Sequence, residues 1–282
     1  MHSLCRNRLT EIALKNVKKR LDVLLVDLKL VPSREQAQRY IRAGWVQVNQ
    51  TVIDKPGTAI ATDADILVKQ RSPYVSRGGE KLAGALQEFK IKVSDRICLD
   101  GGISTGGFTD CLLQNRAVRV YGVDVGYGQV AWKIQSDERV VIRERTNLRH
   151  LSADQLYQAN QPIADLAVLD LSFISLTKVL PNLWQLLRSP REAVLLVKPQ
   201  FEAGKAQVGK NGIVRDPQVR AEAIDRVIKA ATEIGWQFKG ITPAAIAGRT
   251  GNQEYLLWLA EGQGEMRSTP ELAEIERITS VQ

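Results

Sequence analysis

The chain has 282 residues, 39 Lys and Arg against 31 Asp and Glu, a formal charge of +8 and 44% hydrophobic content, enough for a large core or two domains and too apolar for general disorder. Cys5, Cys98 and Cys111 form no CxxC pair and the 2 His do not cluster with them, which disfavours a disulfide framework and a structural zinc site, so no metal is expected. Residues 1–20 lack a signal-peptide core and no apolar run reaches a membrane span of about 18 residues, so the expectation is a cytoplasmic protein without membrane contact, by default a monomer.

Residues 1–80 carry 14 Lys and Arg against 8 Asp and Glu, a surplus of six of the chain's eight positive charges. A surplus so placed points to an anionic partner. Residues 1–17 read as a basic extension with Arg6, Arg8 and Lys15, and residues 18–70 as a compact module. Leu21, Leu24, Leu25 and Leu28 recur at helical spacing and predict a helix from Lys18 to Lys29, ended by Pro32. Ser33, with Gln36 three residues on, predicts the cap of a second helix that turns Ala37, Tyr40 and Ile41 inward and stops at Gly44. Strands are expected over Trp45–Val48, Thr51–Ile53 and Ile66–Val68, with turns at Asn49-Gln50 and Pro56-Gly57. The pattern SREQAQRYIRAGWVQVNQ resembles the S4 RNA-binding domain. That resemblance implies recognition of structured RNA through shape and phosphates, with Lys18, Lys19, Arg20, Arg34, Arg39 and Arg42 as candidate contacts.

Residues 71–75 read as a linker, since Pro73 forces its predecessor out of helix. From residue 76 to 262 apolar strand-like runs alternate with helical segments: Ile97–Leu99, Val118–Val123, Val140–Ile142, Leu166–Leu169, Ala193–Val197 and Tyr255–Leu259. That alternation predicts an α/β domain with a doubly wound parallel sheet. Residues 263–282 read as a polar tail, polar enough to fray, with a short helix open over 270–278.

Four strand ends carry chemistry. In CLDGGISTGGF an apolar strand ends in Asp100, and a glycine-rich turn of Gly102, Ser104, Thr105, Gly106, Gly107 and Phe108 opens a helix. The turn lacks both GxGxxG and GK[ST], and an acid two residues before a glycine suits a ligand with a cationic amino-acid end. Asp124 ends the next strand, where an acid reaches ribose hydroxyls in doubly wound folds. The two together favour S-adenosylmethionine. Asn147, in ERTN, is a candidate partner for the adenine or the nearby backbone. Asp170 ends a further strand, Lys198 ends an otherwise apolar one just before Pro199, Glu254 opens the last, and Lys81 stands in the domain's first helix after Arg77, which joins the candidate RNA contacts.

Lys81, Asp170, Lys198 and Glu254 resemble the Lys-Asp-Lys-Glu tetrad of the FtsJ/RrmJ-like ribose 2′-O-methyltransferases. The order S4 module, SRGGEKL, LDGGISTGGFTD, VDVGYGQ, ERTN, LDLSFISL, VKPQFEAGK and GNQEYLLWL is similar to the TlyA family, known both as haemolysins and as ribosomal RNA methyltransferases. One departure is Gly101, where a small non-glycine residue is expected. The resemblance implies a Rossmann-like class I methyltransferase domain that moves a methyl group from S-adenosylmethionine to a cytidine 2′-hydroxyl of 16S and/or 23S rRNA, leaving S-adenosylhomocysteine. Free rRNA or ribosomal subunits are then the partners. A ribose hydroxyl is a poor nucleophile and needs help in losing its proton. Lys198, beside Lys81, is a candidate acceptor as a neutral amine, with Asp170 and Glu254 orienting the lysines and the hydroxyl, and the sequence leaves open which of the two lysines takes the proton. The rival readings are a membrane-active haemolysin, an S4-type RNA-binding protein without catalysis, and a small-molecule methyltransferase that would have no use for the RNA module.

Overall fold

The computed structural model describes residues 17–68, 72–248, 251–262 and 269–280 and divides into two compact units, 1–71 and 72–282. Arg6, Arg8 and Lys15 of the basic extension, and Arg71 of the linker, lie outside the described residues.

The first unit contains β1 (Lys18–Arg20), α1 (Leu21–Asp27), α2 (Arg34–Arg42), β2 (Val46–Val48), β3 (Thr51–Val52), β4 (Ala59–Ala61) and β5 (Ile66–Val68). The expected start of the first helix is corrected: Lys18–Arg20 are extended and pair antiparallel with Ala59–Ala61. The apolar helical spacing begins only at Leu21, and three consecutive cations offer no face to bury. Ser33 caps α2 by accepting the Gln36 N–H at 3.2 Å, and Gly44 leaves the helix with φ +70°. Asn49 and Gln50, with φ of +47° and +66°, form the tight turn from β2 to β3. Leu21, Leu24, Leu25, Ala37, Ile41, Val46 and Val48 form the core. Tyr40, expected inward, is half-buried and meets Trp45 edge-on at 5.1 Å.

The second unit contains α3 (Gly78–Glu88), β6 (Ile97–Gly101), α4 (Gly107–Gln114), β7 (Arg119–Val123), α5 (Trp132–Gln135), β8 (Val140–Arg143), α6 (Ala153–Leu156), β9 (Leu166–Leu169), α7 (Leu180–Leu186), β10 (Glu192–Val197), α8 (Pro199–Glu202), α9 (Pro217–Ile234), β11 (Trp236–Pro243), β12 (Tyr255–Glu261) and α10 (Leu272–Ser280). Its seven-stranded sheet has the order β11-β12-β10-β9-β6-β7-β8, with β12 antiparallel to both neighbours and the five strands β6 to β10 parallel. Side chains alternate along the strands. Leu99, Tyr121, Leu169 and Leu195 face a core shared with α7 and α9, while Cys98, Val120, Val168 and Leu196 face one shared with α3 and α4.

β11 was not anticipated, because Gln237, Lys239 and Gly240 dilute its apolar pattern; it lies at the sheet edge, where only one side needs a partner. The short helix left open over 270–278 forms over Leu272–Ser280, with Ile275 fully buried in the core that α9 lines. The chain runs β6, β7, β8 to one side and β9, β10 to the other, so the connections reverse between β6 and β9. A crevice opens beyond the carboxyl ends of strands at such a point.

Candidate active site

The strand ends meet there. Lys198, held out of regular structure by Pro199, places Nζ 2.6 Å from Asp170 Oδ1 and donates to Ser172 Oγ at 2.9 Å. β9 and β10 are parallel neighbours, so their last residues emerge side by side. Lys81, in the first turn of α3, forms a second and more deeply buried ion pair with Glu254, just ahead of β12. All four side chains line one cleft of about 920 Å³, together with Gly102, Ser104, Thr105, Gly107 and Phe108 of the glycine-rich turn and with Arg77.

Neighbouring residues that sequence reasoning passed over shape this cleft. Gly248 lies against Glu254: a Cβ there would stand 2.4 Å from Oε1, so any side chain would displace the carboxylate. Buried Asn252 accepts the Val214 N–H at 2.9 Å and donates to the Gly212 carbonyl at 2.8 Å, tying the loop after α8 to the turn that leads into Glu254. Phe173 stands 91% exposed at the cleft, with φ +63° and its ring centroid 5.2 Å from that of Phe201. An exposed aromatic ring in a strained backbone conformation is a signal visible only in three dimensions.

Asp100 ends up buried beneath the turn. Thr109 donates to its Oδ2 at 2.6 Å, whereas its Oδ1 is buried with no hydrogen-bond partner. Burial pushes its carboxyl up to about 7; the Thr109 hydroxyl pulls the other way, and the Asp170 and Asp124 carboxylates push further. A buried acceptor without a donor fits a cationic or N–H-bearing ligand group. Gly102 follows with φ +85°, and a Cβ there would stand 2.6 Å from the Asp170 carbonyl oxygen. The turn and the end of β9 therefore approach at backbone distance, which only glycine permits.

Asp124 and Asn147 are not among the cleft-lining residues. Asp124 accepts the Ser104 N–H at 2.8 Å and the Gly126 N–H at 2.7 Å, one on each oxygen, which joins the ends of β6 and β7. Each oxygen retains acceptor capacity. Asn147 Oδ1 caps the turn that follows by accepting the Arg149 N–H at 3.0 Å. Gly106 is buried at the start of α4. A second hollow of about 480 Å³, lined by Tyr127, Gly128, Gln135, Ile142 and Glu144, lies among the segments that follow β7 and β8.

In the first unit the basic residues separate into two groups. Arg20 and Arg34 both donate at 3.0 Å to Asp22, which is fully buried and also accepts from Gln38 at 2.9 Å. The Arg20 guanidinium, with Gln38 and Arg34, holds the Asp22 carboxyl well below the usual carboxylate range against the opposing effect of burial. Lys19 pairs with Asp27 at 2.7 Å on the surface. Lys18, Arg39 and Arg42 are exposed.

An FtsJ-like methyltransferase family model matches residues 74–261 and an S4 domain model matches residues 19–66. A Bacillus subtilis protein provisionally named rRNA methyltransferase YqxC is 49% identical over 265 residues, 93% of this chain and 92% of that one. The Mycobacterium tuberculosis 16S/23S rRNA (cytidine-2′-O)-methyltransferase TlyA is 46% identical over 242 residues, 85% of this chain and 89% of that one. The solved structure of a Streptococcus thermophilus protein provisionally named a hemolysin superposes with a TM-score of 0.71 at 39% identity, covering 93% of this chain and 94% of the other.

Proposed function

Because the chain belongs to the FtsJ-like methyltransferase family, and within it to the TlyA proteins that add an S4 domain, we propose that it methylates the 2′-hydroxyl of a cytidine ribose in 16S and/or 23S rRNA, with S-adenosylmethionine as donor, in the cytoplasm. The observation that carries this reading is the convergence of the Lys198–Asp170 and Lys81–Glu254 pairs on one cleft floored by the Asp100 turn. When bound, S-adenosylmethionine supplies an electrophilic methyl group on a sulfonium. Asp100, whose Oδ1 lacks a donor, and the backbone from Gly102 to Gly107 would hold its amino-acid end; Asp124 would take the ribose hydroxyls and Asn147 the region of the base.

Lys198, as the neutral amine, accepts the proton of the ribose hydroxyl; its ion pair with Asp170 is the protonated form that results, and loss of that proton to solvent restores the amine for the next turnover. Its Nζ sits between Asp170 and the exposed Ser172, whereas Lys81 is tied to the more deeply buried Glu254. Asp170 balances the ammonium formed, and the Lys81–Glu254 pair fixes the hydroxyl's approach. Holding the hydroxyl beside both its proton acceptor and the methyl donor turns a bimolecular encounter into a positioned one. Phe173 offers a ring on which the target base stacks, and Arg77 a cation for its phosphate. The S4 unit supplies affinity for folded rRNA through Lys18, Lys19, Arg39 and Arg42, with Arg20 and Arg34 contributing from their anchored positions. Among the described residues no helix is long and apolar enough to cross a membrane; the haemolysin reading follows the name of a relative, Hemolysin A.

The test is transfer of labelled methyl from S-adenosylmethionine to naked rRNA, 30S subunits, 50S subunits and 70S ribosomes, beside Lys198→Ala. Label on a cytidine ribose of one or both subunits, lost in the variant, is the expected result and also sets the subunit specificity. No label on any substrate by a protein that binds the cofactor overturns the rRNA assignment.

A further inference from the structure

Glu202 belongs to neither ion pair of the cleft, yet it joins the two segments that carry one of them. It ends α8, four residues beyond Lys198, and is buried. Its Oε1 accepts the Leu176 N–H at 2.8 Å and its Oε2 accepts the Ser175 hydroxyl at 2.6 Å. Ser175 and Leu176 close the loop that begins at Asp170 and presents Ser172 and Phe173 to the cleft. The Glu202 carbonyl accepts from Arg226 Nη1 at 2.6 Å, which fixes α8 to α9. Burial pushes the Glu202 carboxyl up, and the Leu176 N–H and Ser175 hydroxyl pull it back. A leucine would fill the same volume with no carboxylate to desolvate; a carboxylate there is stabilised by those two donors and, more weakly, by the nearby Arg226 guanidinium.

We propose that Glu202 is a positioning residue, a latch that fastens the Asp170–Leu176 loop to the segment behind Lys198 and thereby sets the 2.6 Å contact of Lys198 with Asp170 and the place of Phe173. It acts through those residues and does not touch the reacting atoms. The kinetic part rests on the methyl-transfer reading; the latch itself does not.

The experiment uses the full chain with Glu202→Leu and Glu202→Gln. Hydrogen exchange at the Leu176 amide reads the latch, and kcat, KM for rRNA and Kd for S-adenosylmethionine read its consequence. In Glu202→Leu the Leu176 amide exchanges about 10-fold faster or more, and kcat falls about 10-fold or more while KM and Kd stay within about 2-fold. Glu202→Gln keeps an acceptor for the Leu176 N–H and an amide for the Ser175 oxygen, so it recovers kcat to within about 3-fold of wild type. A role in packing alone would let leucine serve as well as glutamine. Unchanged exchange in Glu202→Leu overturns the latch. Faster exchange with unchanged kcat, or a glutamine variant as slow as the leucine one, overturns the positioning role. Should Glu202→Leu fail to fold, Ser175→Ala removes one donor from the loop side, and faster Leu176 exchange with a kcat loss of about 3-fold is then expected; wild-type values for both would sink the proposal. A wild-type protein that methylates no rRNA fails the functional reading, and the exchange measurement still decides the latch.

Discussion

Lys198 Nζ and Asp170 Oδ1 stand 2.6 Å apart as an ion pair at the carboxyl ends of two parallel strands, and Lys198 donates a hydrogen bond to Ser172 Oγ at 2.9 Å. Removing Lys198 leaves the Asp170 carboxylate without its cation, and removing the Asp170 charge leaves Lys198 with Ser172 as its only close partner among the described residues. Lys198→Met is expected to lower the single-turnover methylation rate by about 10²–10⁴-fold, the range of a lost proton-transfer group. Asp170→Asn keeps the shape and removes the charge, so it falls in the same range, while cofactor affinity, measured by calorimetry, moves little. A Lys198→Met enzyme with wild-type single-turnover rate would assign the proton to another group.

Asp100 makes the protein's stability depend on pH in the direction opposite to a paired carboxylate. Its folded-state value of about 7 lies above the ordinary 3.8, so between those values the folded chain holds a proton that the unfolded chain has released. Stability from this group therefore falls as pH rises from about 4 to 7. Asp100→Asn, which keeps the shape and a partner for Thr109, is expected to unfold at higher urea than wild type at pH 8 and at similar urea near pH 4, without added cofactor. The same variant is expected to bind S-adenosylmethionine at least about 10-fold more weakly, because the acceptor for a cationic donor is gone. Parallel wild-type and variant stability curves across that range would remove the buried charge from the account.

Adjacent glycines in the same turn should respond differently. A Cβ at Gly102 meets the Asp170 carbonyl oxygen at 2.6 Å on a residue with φ +85°, and neither backbone strand can withdraw. Gly102→Ala is expected to cost about 1–3 kcal/mol from the backbone conformation alone, and to displace Asp170 from Lys198. A Cβ at Gly101 meets Leu148 Cδ2 at 2.7 Å and Leu169 Cγ at 3.1 Å, side chains that can adjust. Gly101→Ala should therefore retain most activity. Denaturant unfolding and methylation rates of the two variants check the contrast, and equal damage from both would refute it.

Much of this was readable along the chain because strand ends and helix starts carry local signatures. The strands that hold Asp100, Asp124, Asp170 and Lys198 are apolar runs cut off by an acid or by Pro199, and all appear in the sheet. The Ser33 cap and the turn at Gly44 likewise depend on residues within a few positions. The partners that complete the cleft lie far apart in sequence and obey no short-range pattern. Glu202 bonds residues 26 and 27 positions away, and Asn252 bonds residues 38 and 40 away. β1 escaped notice because its three cations announce no buried face; only the complementary edge of Ala59–Ala61 makes it a strand.

The basic residues of the S4 unit separate into structural and recognition roles by their relation to Asp22. Arg20 and Arg34 are held on that buried carboxylate, whereas Arg39 and Arg42 project from α2. Asp22, depressed by its partners, contributes stability that is present above the ordinary carboxylate value of 3.8 and is lost as pH falls through its lower folded value. Asp22→Asn should thus destabilise the unit at neutral pH, by about 1–3 kcal/mol for hydrogen bonds to a charged group, with little difference from wild type in strong acid. Arg39→Ala combined with Arg42→Ala should leave unfolding unchanged and weaken rRNA binding, lowering the slope of log affinity against log salt by roughly one for each phosphate no longer neutralised. Arg20→Ala should do the reverse, costing stability before affinity. Filter binding over a salt series, beside denaturant titration of the same proteins, separates the two groups; a double Arg39/Arg42 variant with an unaltered salt slope would move the RNA-binding surface away from α2.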